Sequence, residues 1–284
     1  MSDATAPPSP PPGTSPDWAA VTDRVACPPC DYELRGLVEP RCPECGYQFA
    51  WHELLDPAQR LHPYLYEHHP ERGAWAFWKT VAGGLRPSAF WRSLRPTQPS
   101  SGGRLVRYWG SCAAAAFVPL AGLVTWRWFD TGGTVPWVQV LDRTIGRDAT
   151  GAALLAGALF FTAWPWLTFL ALNVFFQSMV RARVQSAHVV RCVVYSADVA
   201  VAFAVLAAVA VAGSAVLWPG AMASDAMRAG VVVAPLGACY LVACWRLVTA
   251  YGLYMRFERP AATVFAAQVV ALLAGLTLLV YVGR

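Results

Sequence analysis

The sequence predicts a mainly α-helical, polytopic membrane protein, with a five-helix transmembrane bundle and a small, cysteine-bearing N-terminal head. Hydrophobic residues make up 56% of the chain and charged residues only 14%, whereas ordinary soluble domains carry about 25% charged residues. From residue 108 onward, apolar runs of about 20 residues, the length that crosses a hydrocarbon layer, alternate with short polar breaks. We therefore expect lipid to be the solvent for most of the chain.

Composition divides the chain into four segments. In order they are a disordered, proline-rich tail and lead-in (1–24), the head (25–50), an amphipathic basic neck (51–107) and the five-span domain (108–284). Nine acids against four arginines give residues 1–60 a net charge of −5, and seven bases against two acids give residues 61–107 a net charge of +5. An acidic head beside a basic collar suits a module held next to an anionic membrane surface.

Four cysteines in the head have the spacing of a metal site. Cys27 and Cys30 form one C-x-x-C pair, and Cys42 and Cys45 form a second after eleven intervening residues. Two such turns let four thiolates converge tetrahedrally on one ion. The head is therefore predicted to be a zinc ribbon, a β-hairpin knuckle around structural Zn²⁺, with iron in a rubredoxin-like site as the alternative. The N-terminus lacks the basic start and apolar core of a signal peptide, so patterned pairs indicate metal rather than disulfides.

The residue after each C-x-x-C pair predicts a backbone turn. Gly46 follows the second pair, and glycine permits the positive φ that a backbone wrapping back onto a metal requires. Asp31 stands at the equivalent place after the first pair, and aspartate tolerates positive φ better than most residues. We expect both residues to adopt the left-handed conformation.

Two stretches carry a resemblance to known proteins. The run from Cys27 to Leu37, followed by Arg41 to Gly46, resembles the short zinc ribbon at the N-terminus of planctomycete-type membrane proteins of uncharacterised function. The stretches Glu67–Pro70 and Phe77–Leu94 resemble the neck of such chains. The layout of a basic neck before five spans is similar to bacterial members of the Yip family. The resemblance implies membrane organisation or trafficking-like roles and brings no activity with it.

Hydropathy predicts five spans, and their loops predict the orientation. The spans are 108–126, 152–180, 197–218, 229–250 and 261–282. One side receives the neck with Arg181, Arg183 and Arg191, and then Arg256 and Arg259, whereas acids balance the arginines on the other side. By the positive-inside rule, we expect a cell inner membrane protein with a cytoplasmic N-terminus and an external C-terminus.

Small residues and prolines predict details of the packing. Small side chains four residues apart let transmembrane helices approach closely, so the third and fifth spans should make tight contacts, within one chain or across a homo-oligomer. Their ladders are Ala204, Ala208 and Ala212 in the third span and Ala267, Ala271 and Gly275 in the fifth. Pro119, Pro165 and Pro235 should kink their spans. In the neck, Ala74–Leu94 is divided by Gly83, Gly84 and Pro87 into two short helices, expected on the membrane plane or packed against the ribbon.

Few polar groups fall near the spans. Asp198 and Arg246 lie close to the same boundary and can pair, either as a structural pair or as part of an ion or proton relay. Asn173 and Gln177 share a helix face and are expected to form interhelical hydrogen bonds. His188 is expected at the interface. His52, His62, His68 and His69 can be drawn as a second metal site with Glu53 and Glu67, but prolines interrupt the segment, which favours surface or packing roles.

These observations favour a non-enzymatic integral membrane protein. The chain lacks the H-E-x-x-H, G-x-S-x-G and P-loop signatures, so we predict no catalytic residue. The ribbon is expected to be a cytoplasmic docking or scaffolding module. Its negative charge opposes phosphate binding, which favours a protein partner, beside membrane lipid, over nucleic acid. The alternative is a transporter, channel or membrane enzyme that uses Asp198, Arg246, Asn173 and Gln177.

Overall fold

The computed structural model describes residues 16–22, 24–56, 61–130, 132–174, 185–217 and 224–282. These residues are mainly helical, which confirms the predicted class, and no named strand occurs among them. The helices are α1 Trp51–Leu55, α2 Gly73–Gly84, α3 Pro87–Ser93, α4 Gly102–Ala116, α5 Val118–Asp130, α6 Trp137–Gly146, α7 Ala149–Val174, α8 Ser186–Ala197, α9 Val199–Leu217, α10 Asp225–Leu253 and α11 Pro260–Val282. The first 15 residues of the predicted tail, together with Gln177, Arg181 and Arg183, lie outside the described residues.

Four helical segments are long and apolar enough to cross a membrane. They are Gly102–Asp130, Ala149–Asn173, Ser186–Ser214 and Ala226–Leu253. The helix α11 has 23 residues, but its shorter apolar stretch, Pro260–Gly275, does not by itself reach the length of a span. The chain thus has the helices of a membrane protein, and the fifth crossing stays a prediction.

The first span extends beyond its predicted bounds at both ends. Its helix begins at Gly102, within the segment assigned to the neck, and is interrupted at Phe117, just before Pro119. Proline removes a backbone donor and clashes with the preceding turn, which accounts for a break at this point. By contrast, α7 and α10 continue through Pro165 and Pro235.

The segment after the first span contains a helix that hydropathy did not predict. The ten residues of α6 lie in a stretch assigned to a polar loop, and they pack against α5 and α7. Val140 and Thr144, one turn apart, are buried on its inner face. A Cβ atom at Gly151 in α7 would lie 2.0 Å from the Thr144 carbonyl oxygen. The missing side chain therefore permits this close crossing.

The bundle is organised around α7 and α10, and the two small-residue ladders behave differently. The helix α11 packs against both α7 and α10, with Ala267 and Ala271 buried and Gly275 close to Leu167. In α9, Ala204 is buried, but Ala208 and Ala212 are exposed. The ladder of the fifth helix therefore makes the predicted close contact, whereas that of the third does not do so within this chain. Within this chain α9 instead turns its larger Phe203 toward α7, and a contact of this ladder across a homo-oligomer stays a prediction.

The neck forms the two predicted helices, and one face of them packs against the bundle. Phe90 and Trp91 of α3 are buried, and α3 contacts α10. On α2 the buried residues are Ala76, Thr80 and Gly84. The packing partner is therefore the helical bundle rather than the ribbon, because the neck turns back along the end of α10.

Candidate metal centre and its attachment to the bundle

Each C-x-x-C pair closes a tight turn through its own backbone. The amide of Asp31 donates to the carbonyl oxygen of Cys27 at 2.8 Å, and the amide of Cys27 donates to Tyr32 at 2.7 Å. The second turn repeats this arrangement, since Gly46 donates to Cys42 at 2.9 Å and Cys42 donates to Tyr47 at 2.9 Å. A single antiparallel bridge flanks each turn, Ala26 with Glu33 and Arg41 with Gln48. The predicted hairpins are thus reduced to two turns with one bridge each.

The predicted left-handed residues are found at both turns. Asp31 has a φ of 63° and Gly46 a φ of 72°. This conformation reverses the backbone directly after the second cysteine of each pair and turns the two pairs toward each other. The prediction from the residue type after each pair is confirmed.

The turns bring the four thiols together. All four Sγ atoms lie within 4.8 Å of one another, with 3.6 Å between Cys27 and Cys45 and 3.5 Å between Cys30 and Cys42. All four are free thiols without a disulfide. Four thiolates around one Zn²⁺, with Zn–S of about 2.3 Å, have sulfur atoms about 3.8 Å apart. The spacing therefore fits a tetrahedral metal ion, and among the described residues this is the one group that does so.

Burial governs the acidity of these thiols. It raises the pKa of Cys27 above its usual range and raises the pKa of Cys30 to about 11. For Cys42 burial acts in the same direction, but hydrogen bonds from the Cys45 amide and the neighbouring thiols outweigh it and lower the pKa. A metal ion binds thiolates, so its binding at this site must displace protons from the thiols whose pKa burial raises.

The head has a small apolar core of its own. Leu34 is fully buried beside Val25 and Phe49, and the core also takes in Trp51 and Leu54 of α1. The head thus extends past residue 50 into the segment assigned to the neck. So few apolar contacts contribute little folding free energy, so a metal ion held by the four cysteines would be the main source of stability.

Two carbonyls of the first turn attach the head to the bundle. Nε2 of His188 donates to the carbonyl oxygen of Pro28 at 2.9 Å, and the amide of Gln185 donates to Pro29 at 2.9 Å. Nδ1 of His188 accepts from the hydroxyl of Tyr254 at 2.7 Å. His188 is only 5% exposed, so it is a buried link between head and bundle and not the interfacial residue we expected.

The Tyr254 hydroxyl connects this link to a buried ion pair. Nη1 of Arg191 donates to Tyr254 at 2.9 Å, and Nε of Arg191 lies 2.8 Å from Oε1 of Glu67. Both charged side chains are 0% exposed. The same guanidinium donates to the carbonyl oxygens of Gln98 and Pro99, so it holds the linker before the first span as well as the neck.

A second buried pair lies deeper and is joined to the first through Tyr195. The hydroxyl of Tyr195 donates to Glu67 at 3.1 Å, and its carbonyl oxygen accepts from Arg246 at 2.5 Å. Nη1 of Arg246 lies 2.5 Å from Oδ1 of Asp198, and Tyr108 donates to Oδ2 at 2.9 Å. The predicted pairing of Asp198 with Arg246 is confirmed, with both side chains almost fully buried.

The neck histidines have packing roles. Nδ1 of His68 accepts from the amide of His62 at 2.8 Å, and its Nε2 donates to Pro99 at 2.9 Å. Nε2 of His69 donates to the carbonyl oxygen of His62. Burial, with the nearby charges of His68, Arg191 and His69, lowers the pKa of His62 to about 4. These rings hold the backbone of the neck, as the packing interpretation predicted.

Other polar groups differ from the predicted sites. The Asn173 amide donates to the Phe169 carbonyl in its own helix at 2.7 Å rather than to another helix. Gln268, which the sequence did not single out, instead joins three helices: it accepts from Trp164 at 2.7 Å and from Tyr240 at 3.2 Å, and donates to Thr168 at 3.2 Å. A lone glutamine in an apolar run was the available signal, because such a group requires partners inside the bundle.

Four apolar helices of spanning length, joined to a head whose four cysteines can hold a metal ion, indicate a membrane protein with a candidate metal-binding head. No protein-family model matches the chain, and comparison with curated proteins and with solved structures gave no match either.

Proposed function

We propose that this chain is a non-enzymatic integral membrane protein whose head binds one structural Zn²⁺ and docks a cytoplasmic protein. The observation that carries the proposal is the unequal use of the two turns. The bundle holds the first turn through Pro28 and Pro29, and a cleft of about 340 Å³ at that turn is lined by residues of both head and bundle. The second turn borders a cleft of about 440 Å³ that is lined by head residues alone. A head fixed on one side and open on the other suits a docking module.

Zinc is the proposed metal because of the ligand set. Four thiolates in two C-x-x-C turns leave no open coordination position, which is the pattern of a structural zinc site rather than a catalytic one. Iron in a rubredoxin-like site is the alternative. Metal analysis of the purified full chain should give about one zinc per chain, lost in Cys42→Ser and retained in Cys244→Ser. Stoichiometric iron in place of zinc would refute the assignment.

The second turn offers a surface suited to a peptide. Val38 is 72% exposed at the cleft, beside the partly buried Leu37 and the exposed Pro43. A peptide segment lying in this cleft would cover these apolar groups. The acidic head disfavours nucleic acid, since phosphate contacts are made by basic groups. The resemblance to membrane proteins with N-terminal zinc ribbons, and the Yip-like layout, agree with a role in membrane organisation.

The buried ion pairs favour a scaffold over a transporter, channel or membrane enzyme. Asp198 and Arg246 are 1% and 3% exposed and bond to each other and to tyrosine groups. A relay group must exchange protons or ions with water or a substrate. Groups that are buried and paired with each other are better suited to fixing the geometry of the bundle.

We also propose a bacterial inner membrane location with the head in the cytoplasm and the C-terminus outside. A reducing cytoplasm keeps the four thiols available for zinc, and the arginine-rich loops agree by the positive-inside rule. Reporter fusions after Met1 and after Arg284 should report opposite sides of the membrane. A cytoplasmic signal from both fusions would show that the number of crossings is even and would exclude the five-span topology.

The docking proposal is tested by site-specific photo-crosslinking in cells. A photoreactive residue at Val38 should capture a defined protein, and Cys42→Ser should abolish the product by unfolding the second turn. The matched control is the same residue at Tyr32, which is 37% exposed on the first hairpin. Equal products from both positions, or a product that persists in Cys42→Ser, would contradict docking at the second turn. A product containing a second copy of this chain would indicate a homo-oligomer instead.

A further inference from the structure

The neck helices leave one continuous face uncovered. On α2 the exposed residues Trp75, Trp78 and Lys79 recur at helical spacing. The exposed residues Leu85 and Arg86 follow between the two helices, and the exposed Arg92 lies on α3. We call these six residues the neck stripe. Trp75, Trp78 and Leu85 are 46%, 57% and 71% exposed.

The opposite face of α2 fixes this orientation. Gly84 lies so close to Arg246 that a Cβ atom there would be 2.1 Å from Nη2. Thr80 is fully buried, and its hydroxyl oxygen accepts from the amide of Tyr66 at 3.0 Å. The helix cannot rotate to bury its tryptophans without breaking these contacts. The aromatic groups are therefore held outward.

The stripe lies beside the last turns of a candidate span. Arg246, which Gly84 touches, is seven residues before the end of α10 at Leu253, about 10 Å along a helix. Trp245 is 55% exposed on the same candidate span. The α2 helix is thus fixed beside the final turns of a candidate membrane helix, and we expect it near the boundary between headgroups and hydrocarbon.

The charge of the stripe is positive and uncompensated. Among the described residues, no carboxylate forms an ion pair with Lys79, Arg86 or Arg92. The nearby acid, Glu71, already pairs with His69 and Arg72. The ring of Trp75 has Arg72 and Lys79 at 5.3 and 5.8 Å. Indole rings beside exposed cations are typical of groups that lie in the headgroup layer.

From this arrangement we propose that the neck stripe binds anionic phospholipid, with Lys79, Arg86 and Arg92 contacting headgroup phosphates and Trp75, Trp78 and Leu85 entering the acyl boundary. This lipid site lies on a different surface from the proposed docking turn and stands independently of it. The occupant is lipid because large apolar groups alternate with the cations, whereas free phosphate would use the cations alone.

The test uses the full chain in phosphatidylcholine vesicles that contain phosphatidylglycerol. Native mass spectrometry of protein released from the vesicles gives the ratio of the two lipids carried by each chain. The stripe variant is Lys79→Gln, Arg86→Gln and Arg92→Gln together. The matched control is Arg41→Gln, Arg143→Gln and Arg147→Gln, which removes the same charge from exposed arginines outside the stripe. A parallel sample contains inorganic phosphate.

The wild-type chain should carry phosphatidylglycerol in excess over its share in the vesicles, and the control should match it. In the stripe variant this enrichment should be at least about tenfold lower than in the wild-type chain, since each basic group near an anionic surface increases the affinity for anionic lipid severalfold. Equal enrichment in the stripe variant would overturn the proposal. Displacement of the lipid by inorganic phosphate would overturn it too. A photoreactive residue at Ala82, exposed within the stripe, should capture lipid, and capture of a protein there would assign the surface to a protein partner.

Discussion

His188 donates a hydrogen bond from Nε2 to the carbonyl oxygen of Pro28 across 160 residues of sequence. The same ring accepts from Tyr254, which in turn accepts from Arg191 of the buried pair with Glu67. The first turn of the candidate metal centre is therefore connected by side chains to the ion pairs inside the bundle. Holding the backbone of the metal turn fixes the head relative to the helices.

The hydrogen bonds of His188 predict that His188→Ala weakens the attachment of the head to the bundle without loss of the bound metal. The variant loses two hydrogen bonds of about 1 kcal/mol each, while the four cysteines stay in place. In hydrogen–deuterium exchange on the full chain in lipid, the Gln185 amide, which donates to Pro29, should exchange roughly tenfold faster or more. Zinc content should be unchanged. His52→Ala, within α1 of the head, is the control, and an unaltered Gln185 rate in His188→Ala would show that other contacts hold the head.

The buried pair of Asp198 and Arg246 predicts a stability effect. Asp198→Asn leaves a buried guanidinium without its charge partner, which costs roughly 3–5 kcal/mol. The double variant Asp198→Asn with Arg246→Gln removes both charges and should recover a large part of this loss. Unfolding in detergent with increasing denaturant measures both.

The exposed pair of Glu53 and Arg95, at 3.0 Å, supplies the control for this prediction. Glu53→Gln should cost no more than about 1 kcal/mol, because exposed pairs contribute little. A relay would give a different pattern: Asp198→Asn would keep full stability and abolish a transport activity. That result would replace the scaffold with the transporter alternative.

The contact between Gly84 and Arg246 predicts that a single methyl group displaces the neck. In Gly84→Ala the new Cβ atom would meet the guanidinium at 2.1 Å, so the neck or the ion pair must move. We expect a lower melting temperature and faster proteolysis between residues 70 and 100. Gly110→Ala is the matched control, because a Cβ atom there meets nothing within 4 Å and alanine favours a helix by about 1 kcal/mol. If the two variants have equal stability, the close contact is not maintained in the membrane.

The features that the sequence predicted well are local ones. The spacing of Cys27, Cys30, Cys42 and Cys45 is a constraint within 19 residues, and the type of the following residue determines the left-handed turn at Asp31 and Gly46. Apolar runs likewise predict helices because each run must satisfy its backbone internally. Such features depend on near neighbours along the chain and can be derived without the fold.

The features that the sequence did not predict depend on partners that are distant along the chain. His188 looked interfacial because nothing in its own segment indicates that Pro28 and Tyr254 lie on either side of it. Glu67 in the neck likewise gave no sign of Arg191. The helix α6 was missed because its charges suggested a loop, although Val140 and Thr144 are spaced to bury one face. Contacts between segments far apart in the sequence therefore bury groups that their own segments predicted to be exposed to solvent.

The acidity of the thiols predicts how zinc affinity depends on pH. Burial raises the pKa of Cys27 above its usual range and that of Cys30 to about 11, so both are protonated in the metal-free head near neutral pH. Zinc binds thiolates and must release at least these two protons. Apparent affinity should therefore rise by a factor of about 100 or more for each pH unit and fall equally as pH is lowered, with the stability that the metal gives the head falling in parallel.

Competition with a chelator on the full chain at several pH values near neutrality measures this slope. Cys30→Ser removes one of the two raised thiols and should reduce both the affinity and the slope. Cys244→Ser, a partly buried thiol far from the centre in sequence, should leave both unchanged. A slope near zero in the wild-type chain would mean that the thiols are already ionised before zinc arrives. Burial of the thiols in the two turns would then not set the pH dependence of zinc affinity.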